Sequence, residues 1–204
     1  MLFFIWYIEC VFMKYEIIIE RKKAMSKINM VTGGVASGKS RWAATYFAAC
    51  DNVLYMCVRD ELDKEVADRI KWNCDHRSTE WVIKCGFTLD DAETERHKFF
   101  IFDDVASYTS RYIGALGLSE ADMTAYKKKE VQTGIINDIT ALISRVQVRE
   151  GNMIIITSEM GFSPEPVSIE QRFFRDVLGG VNQRISNVAS DVYLSVSGIQ
   201  TKIK

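Results

Sequence analysis

The sequence predicts an α/β protein, a mostly parallel sheet with helices on both faces. Three observations carry that reading. Strand-like and helix-like segments alternate from residue 28 onward, the order that builds parallel sheets through helical crossovers. The strongest strand candidates are continuous apolar runs, as strands buried beneath helices are. A glycine-rich turn joins the first strand to the first helix.

Taken in order, "INMV" reads as a buried strand and "KSRWAATYFAAC" as the helix after the turn. "NVLYMCV" is the second strand. In "ELDKEVADRIKW", Leu62, Val66 and Ile70 recur every four residues, which makes an amphipathic helix. "EWVIKCG" reads as a short strand, and "KFFIFDD" as a stronger one ending in two carboxylates. A helix over "VASYTSRYIGAL" and a polar connection "GLSEADMTAYKKK" lead to a long helix near "EVQTGIINDITALISRVQVRE". "NMIIITSE" is the most continuous apolar strand. Residues 160–167, which hold both prolines, form a loop. "SIEQRFFRDVLGGVNQRISNVAS" is a long helix with a potential bend at Gly179-Gly180. "DVYLSVSG" and "TKIK" form a terminal strand pair. Ligands of such sheets sit beyond the carboxyl ends of the strands. Loops 32–40, 57–61, 103–110 and 157–167 therefore belong to one edge.

The totals set bounds on this picture. At 204 residues, 48% hydrophobic and 26% charged, the chain has the balance of one soluble globular domain. A net charge of −1 gives no basic field for nucleic acid. The five cysteines are odd in number and lack a CxxC pair, which argues against a disulfide framework or a zinc site and for a reduced, cytoplasmic protein.

The opening "MLFFIWYIECVFM" is too short to span a bilayer and carries Glu9. It lacks a positive n-region and a cleavage site. Met13, Met25 and Met30 are alternative starts. Residues 1–24 are expected to be a dispensable extension, or else a membrane-surface or packing segment. Residues 25–204 are expected to form the single domain.

Gly33-x-x-x-x-Gly38-Lys39-Ser40 satisfies the P-loop pattern between a strand and a helix. Gly33, Gly34, Val35, Ala36, Ser37, Gly38, Lys39 and Ser40 are thus expected to wrap nucleotide phosphates. The glycines let amides turn inward, and the helix start adds positive potential. Lys39 would neutralise β/γ-phosphate charge, and Ser40 would ligate Mg²⁺. Asp103 and Asp104 end a strand where such proteins keep the magnesium carboxylate, so Ser40 and Asp103 form the expected metal pair. Glu159, after "MIIITS", is a second acidic candidate to hold a water or the acceptor hydroxyl.

Four stretches, "VTGGVASGKSRWA", "VLYMCVRDELDKEVADRI", "FIFDDVASYTSRYI" and "FFRDVLGGVNQRISNVASDVYLSVSGIQTKIK", carry a resemblance to a known family. The chain resembles the bifunctional adenosylcobinamide kinases / adenosylcobinamide-phosphate guanylyltransferases of cobalamin synthesis, from residue 28 to its end. The closing "RFFRD…G..NQR…VYL.VSGI..K" is far more specific than a P-loop. The resemblance implies a RecA-like sheet, a homotrimer and a small-molecule corrinoid substrate. It implies two reactions. ATP or GTP phosphorylates the aminopropanol hydroxyl of adenosylcobinamide, and GMP is then transferred from GTP through a guanylylated histidine.

Gly33–Ser40 match the family's phosphate loop, and Val58, Arg59 and Asp60 its second nucleotide-contacting segment. Asp103 matches the strand-end acid, and Glu159 and Gly161 the Glu-x-Gly. The family histidine falls at Asn73, whose delocalised amide nitrogen cannot form a phosphoramidate. Cys85, Asp104 and Ile169 also depart from the pattern. The expected activity is therefore the kinase, with the guanylyltransferase weakened or lost. Two alternatives stay open: a fully bifunctional enzyme using a displaced nucleophile such as His76, and a non-catalytic nucleotide-binding relative. His97, in "ETERHKFF", is expected to be solvated. Trp72, Phe173 and Phe174 are expected in the core or at subunit contacts. Arg172 and Arg175 face either phosphate or a helix–loop salt bridge, and Lys127-Lys128-Lys129 reads as a solvated helix start.

Overall fold

A computed structural model describes residues 26–59, 81–86 and 96–204. The elements are β1 (Ile28–Gly33), α1 (Lys39–Tyr46), β2 (Val53–Cys57), β3 (Val82–Lys84), β4 (Phe99–Asp103) and α2 (Val105–Ala115). A 3₁₀ turn (Glu120–Asp122) then leads to α3 (Ala125–Val148), β5 (Asn152–Ile156), α4 (Ile169–Val188), β6 (Asp191–Val196) and β7 (Ile199–Lys202).

All seven strands join one sheet in the order β3-β2-β4-β5-β1-β6-β7. Every pairing is parallel except the closing β6–β7 hairpin. β5 thus lies between the phosphate-loop strand β1 and the acid-bearing strand β4. This is the RecA-like α/β arrangement that the resemblance implies. Cys57, Asp103 and Ile156 are lateral neighbours in register, so the segments that follow β2, β4 and β5 leave the sheet together.

Side-chain alternation along the strands divides the core. Met30, Met56, Phe102 and Ile155 face α3 and α4, where Ile135, Ile139, Leu142, Val177 and Val181 are buried. Val31, Tyr55, Ile101 and Ile154 face the other way, onto Ala43 and Phe47. Strands covered on both sides need apolar residues at every position. That is why "FFIF" and "MIII" read as uninterrupted runs.

Several boundaries differ from the expectation. α1 stops at Tyr46, and Phe47–Ala49 turn away from it. The polar connection is shorter than expected, because α3 begins at Ala125 with the Thr124 side chain accepting from Lys127 N–H. Its first turn carries Tyr126, which is 80% exposed, so no apolar stripe announces the helix. α4 runs without a break through Gly179-Gly180. The run at Lys127–Lys129 is not wholly solvated, since Lys128 Nζ lies 2.5 Å from Asp176 Oδ2 on α4.

His97 corrects another expectation. It is buried, and its Nδ1 lies 3.1 Å from Asn52 O. Cys50, Cys57 and Cys85 form no disulfide among the described residues. No helix among the described residues is long and apolar enough to cross a membrane. The expected extension 1–24, the helix at "ELDKEVADRIKW", Asp60, Trp72, Asn73 and His76 lie outside the described residues.

Candidate active site

The site starts from backbone conformation. Gly33 closes β1 with φ 151°, and a Cβ there would stand 2.2 Å from Ser195 O on β6. Gly38 caps α1 at φ 95° with no side-chain cap hydrogen bond, which leaves the helix's first-turn amides to an anion. Between them Gly34, Val35 and Ala36 are exposed, and Ser37 is buried.

Lys39 is only 8% exposed. Its Nζ donates to Gly33 O at 3.0 Å, to Gly34 O at 2.6 Å and to Ser37 Oγ at 3.4 Å. An ammonium held this far from water needs such acceptors. They also hold it inside the curve of the loop. Ser40, next along α1, is half-buried.

Asp103 ends β4 almost fully buried, and its Oδ2 accepts the hydroxyl of Tyr55 on β2. The Asp103–Asp104 peptide is cis. The two carboxylates diverge in role. Asp104 Oδ1 accepts Ser107 N–H at 2.6 Å as the N-cap of α2, while Asp103 is the carboxylate that stands on the strand itself.

A cavity of about 490 Å³ gathers these groups, and Lys39, Ser40, Arg41, Arg59 and Asp103 all line it. A second cavity, of about 840 Å³, shares Val35, Arg59, Asp104 and Ser158 with the first. It continues past Arg111 and Glu159 to Phe174. Val58 N–H donates to Asp103 O at 3.0 Å, and Arg111 Nη1 to Val58 O at 3.2 Å. Arg59 Nε donates to Ser107 Oγ at 3.0 Å. Two guanidiniums are thus fixed beside the phosphate loop.

Glu159 is tied at both ends. Its N–H donates to Gly33 O at 3.1 Å, and its Oε1 accepts Gly161 N–H at 2.7 Å. Below it, Thr157 Oγ1 donates to Asn182 Oδ1 at 2.7 Å and Asn182 Nδ2 to Ser158 O at 3.0 Å. α4 therefore sets the path of the segment after β5.

Arg172 turns to the loop that holds both prolines, and Arg175 lines a further cavity together with Thr32, Glu159 and Asp176. Arg172 Nη1 donates to Pro166 O at 2.9 Å. Arg175 lies 3.8 Å from Glu165 and 3.5 Å from Asp176. Ile169 opens α4 at 39% exposed. Phe173 is in the core, while Phe174 is only partly buried and lines the second cavity.

Sequence reasoning missed Tyr55, Arg111 and the contacts of Ser195. Tyr55 reads as one more core aromatic, and nothing local marks its hydroxyl as a partner of Asp103. Among the described residues, no three His, Cys, Asp or Glu side chains cluster as a metal site. A hydroxyl, a carboxylate and a bound phosphate together make an all-oxygen set for a hard cation. Ser40 and Asp103 on one cavity suit such an all-oxygen set.

The family model described as "Cobinamide kinase / cobinamide phosphate guanyltransferase" matches residues 29–203. A bifunctional adenosylcobalamin biosynthesis protein CobU of Salmonella typhimurium is 33% identical over 179 residues, covering 86% of this chain and 98% of that protein. The Escherichia coli protein of the same name is 31% identical over the same shares. Among solved structures, a KaiC-like protein of Pyrococcus horikoshii aligns with TM-score 0.43 and 18% identity, over 83% of this chain and 71% of that one.

Proposed function

The chain belongs to the cobinamide kinase / cobinamide phosphate guanyltransferase family, and from that premise we propose that it phosphorylates the aminopropanol hydroxyl of adenosylcobinamide with ATP or GTP. The observation that carries this reading is the shared cavity. A buried lysine and a strand-end carboxylate meet there, beside a second cavity with room for an acceptor.

The loop amides and Lys39 hold the triphosphate tail and draw charge from its outer oxygens. Ser40 and Asp103 would hold Mg²⁺, which when bound neutralises charge on the β- and γ-phosphates. The acceptor alcohol lies in the second cavity against Glu159, which takes its proton. Its oxygen bonds to the terminal phosphorus as the bond to the bridging oxygen breaks, and the nucleoside diphosphate leaves. Arg59 and Arg111 orient phosphate oxygens on the acceptor side. Confinement in two joined cavities aligns donor and acceptor, which is most of what phosphoryl transfer asks of a protein.

The test is direct. Full-length protein, adenosylcobinamide, Mg²⁺ and γ-labelled ATP or GTP yield labelled cobinamide phosphate. No label at high enzyme concentration overturns the reading.

The two activities in the family's description, and the bifunctional naming of the relatives, favour a second reading, in which GMP transfer also survives. His97 is the one histidine among the described residues, and it bonds Asn52 O away from both cavities. The guanylyl acceptor would then be His76. Incubation with α-labelled GTP leaves acid-labile label on the protein, which His76→Ala abolishes. An unlabelled wild type removes this reading. We also propose a homotrimer, checked by light scattering on the full chain.

A further inference from the structure

The closing segment "VYLSVSGIQTK" has no part in the reaction above, yet it packs against the phosphate loop. Ser195 lies beside Gly33 in the β1–β6 register. Its Oγ, fully buried, donates to Ser37 O at 2.7 Å. The same carbonyl accepts Gly198 N–H at 2.9 Å. Behind them, Gln200 Nε2 donates to Ser195 Oγ at 3.0 Å, which leaves the hydroxyl proton for Ser37.

The hairpin turn makes this possible. Ser197 and Gly198 have φ values of 51° and 83° between the closing pair Val196 and Ile199. A two-residue turn with both φ positive matches the twist of an antiparallel hairpin. Here it also aims Gly198 N–H at the loop. Its tip reaches the nucleotide cavity, which Ser197 and Gly198 line.

A peptide unit is planar and trans, so its C=O and N–H point in opposite directions. Two donors pin the Ser37 carbonyl toward the hairpin. The Gly38 N–H of the same unit must then point the other way, into the cavity. From this geometry we infer that the β6–β7 hairpin is the outer wall of the phosphate site. Ser195 and Gln200 are positioning residues that set the Gly38 amide for a nucleotide's phosphate oxygens. The inference rests on the reading that Gly33–Ser40 holds a triphosphate.

The experiment compares full-length Ser195→Ala, Ser195→Thr, Gln200→Ala and Lys39→Ala. It measures the Kd of a non-hydrolysable ATP or GTP analogue with Mg²⁺, the KM and kcat of the kinase reaction, and thermal unfolding. Loss of one buried hydrogen bond to the loop weakens analogue binding about tenfold in Ser195→Ala. Loss of the outer donor weakens it about threefold in Gln200→Ala. Ser195→Thr keeps the hydroxyl and restores binding. The nucleotide KM rises in step with Kd, while kcat and the acceptor KM hold.

Wild-type affinity in Ser195→Ala and Gln200→Ala, with binding lost in Lys39→Ala, overturns the inference and leaves the phosphate loop standing. A loss of kcat with unchanged nucleotide KM, alongside a lowered unfolding temperature, also overturns it by showing a role in packing alone. If Ser195→Ala does not fold, Gln200→Ala decides. Undiminished binding in Lys39→Ala overturns the triphosphate reading itself.

Discussion

The hydroxyl of Tyr55 on β2 donates to the carboxylate of Asp103 on β4, both within the sheet's buried interior. Tyr55 pairs laterally with Ile101, so its ring runs along the same sheet face to reach Asp103 two residues on. A neutral donor thus holds the strand-end carboxylate where a metal-bound phosphate is expected.

Tyr55→Phe removes that donor and keeps the ring. Loss of a buried hydrogen bond to a charged acceptor costs about 1.5–3 kcal/mol. The Mg²⁺ concentration for half-maximal kinase activity should rise, with unfolding temperature lowered by a few degrees. A magnesium titration of activity checks it.

Lys39→Ala takes away the ammonium that bridges Gly33 O and Gly34 O. Nucleotide affinity should fall by two orders of magnitude or more, since a buried charge facing phosphate is worth roughly 3 kcal/mol. Equilibrium binding of a labelled nucleotide reads this directly.

Gly33→Ala places a methyl 2.2 Å from Ser195 O. That atom is backbone of a paired strand and cannot swing aside. Overpacking of this kind costs about 1–3 kcal/mol or more. Denaturant unfolding should show the midpoint shift, and nucleotide binding should weaken with it, because β1 and β6 must separate.

Asp104→Ala tests the division of labour between the two acids. It removes the α2 N-cap, a loss of about 0.5–2 kcal/mol. Chemical denaturation should register that loss. The magnesium requirement of the kinase should stay near wild type, in contrast to Asp103→Ala.

The Lys128 ammonium beside Asp176 holds that carboxyl below its ordinary range. A group whose folded pKa is depressed adds stability above its unfolded pKa and loses it as pH falls through the folded one. The α3–α4 contact should weaken below the usual carboxylate range. The pair is partly solvated, so Asp176→Asn should cost under about 1 kcal/mol at neutral pH and flatten part of the acid limb of a stability–pH curve.

Much of the fold was legible because its determinants are local. "FFIF" and "MIII" are buried on both sides, which leaves no polar position to blur the strand. The loop Gly33–Ser40 carries its geometry in its own glycines. The start of α3 was hidden, since its first turn is polar and Thr124 marks it only by capping. His97 looked solvated among charged neighbours, yet the chain folds it against Asn52 O. Ser195 and Ser37 are separated by 158 residues, and no pattern within either segment announces their contact. Asp103 and Asp104 are adjacent in the sequence, and nothing in "FDDV" announces that Asp104 caps α2 while Asp103 meets Tyr55.

The position of β1 within the sheet governs when this protein can first be functional during its synthesis. β1 precedes both of its sheet neighbours, β5 and β6, in the chain. Lys27 bonds to Asn152 across 125 residues and Ile28 to Ser190 across 162. Long-range pairing of this kind closes slowly. The loop therefore acquires its walls only once β6 has left the ribosome. Nascent chains halted short of β6 should stay inert toward nucleotide, which makes nucleotide capture a readout of translation through β6.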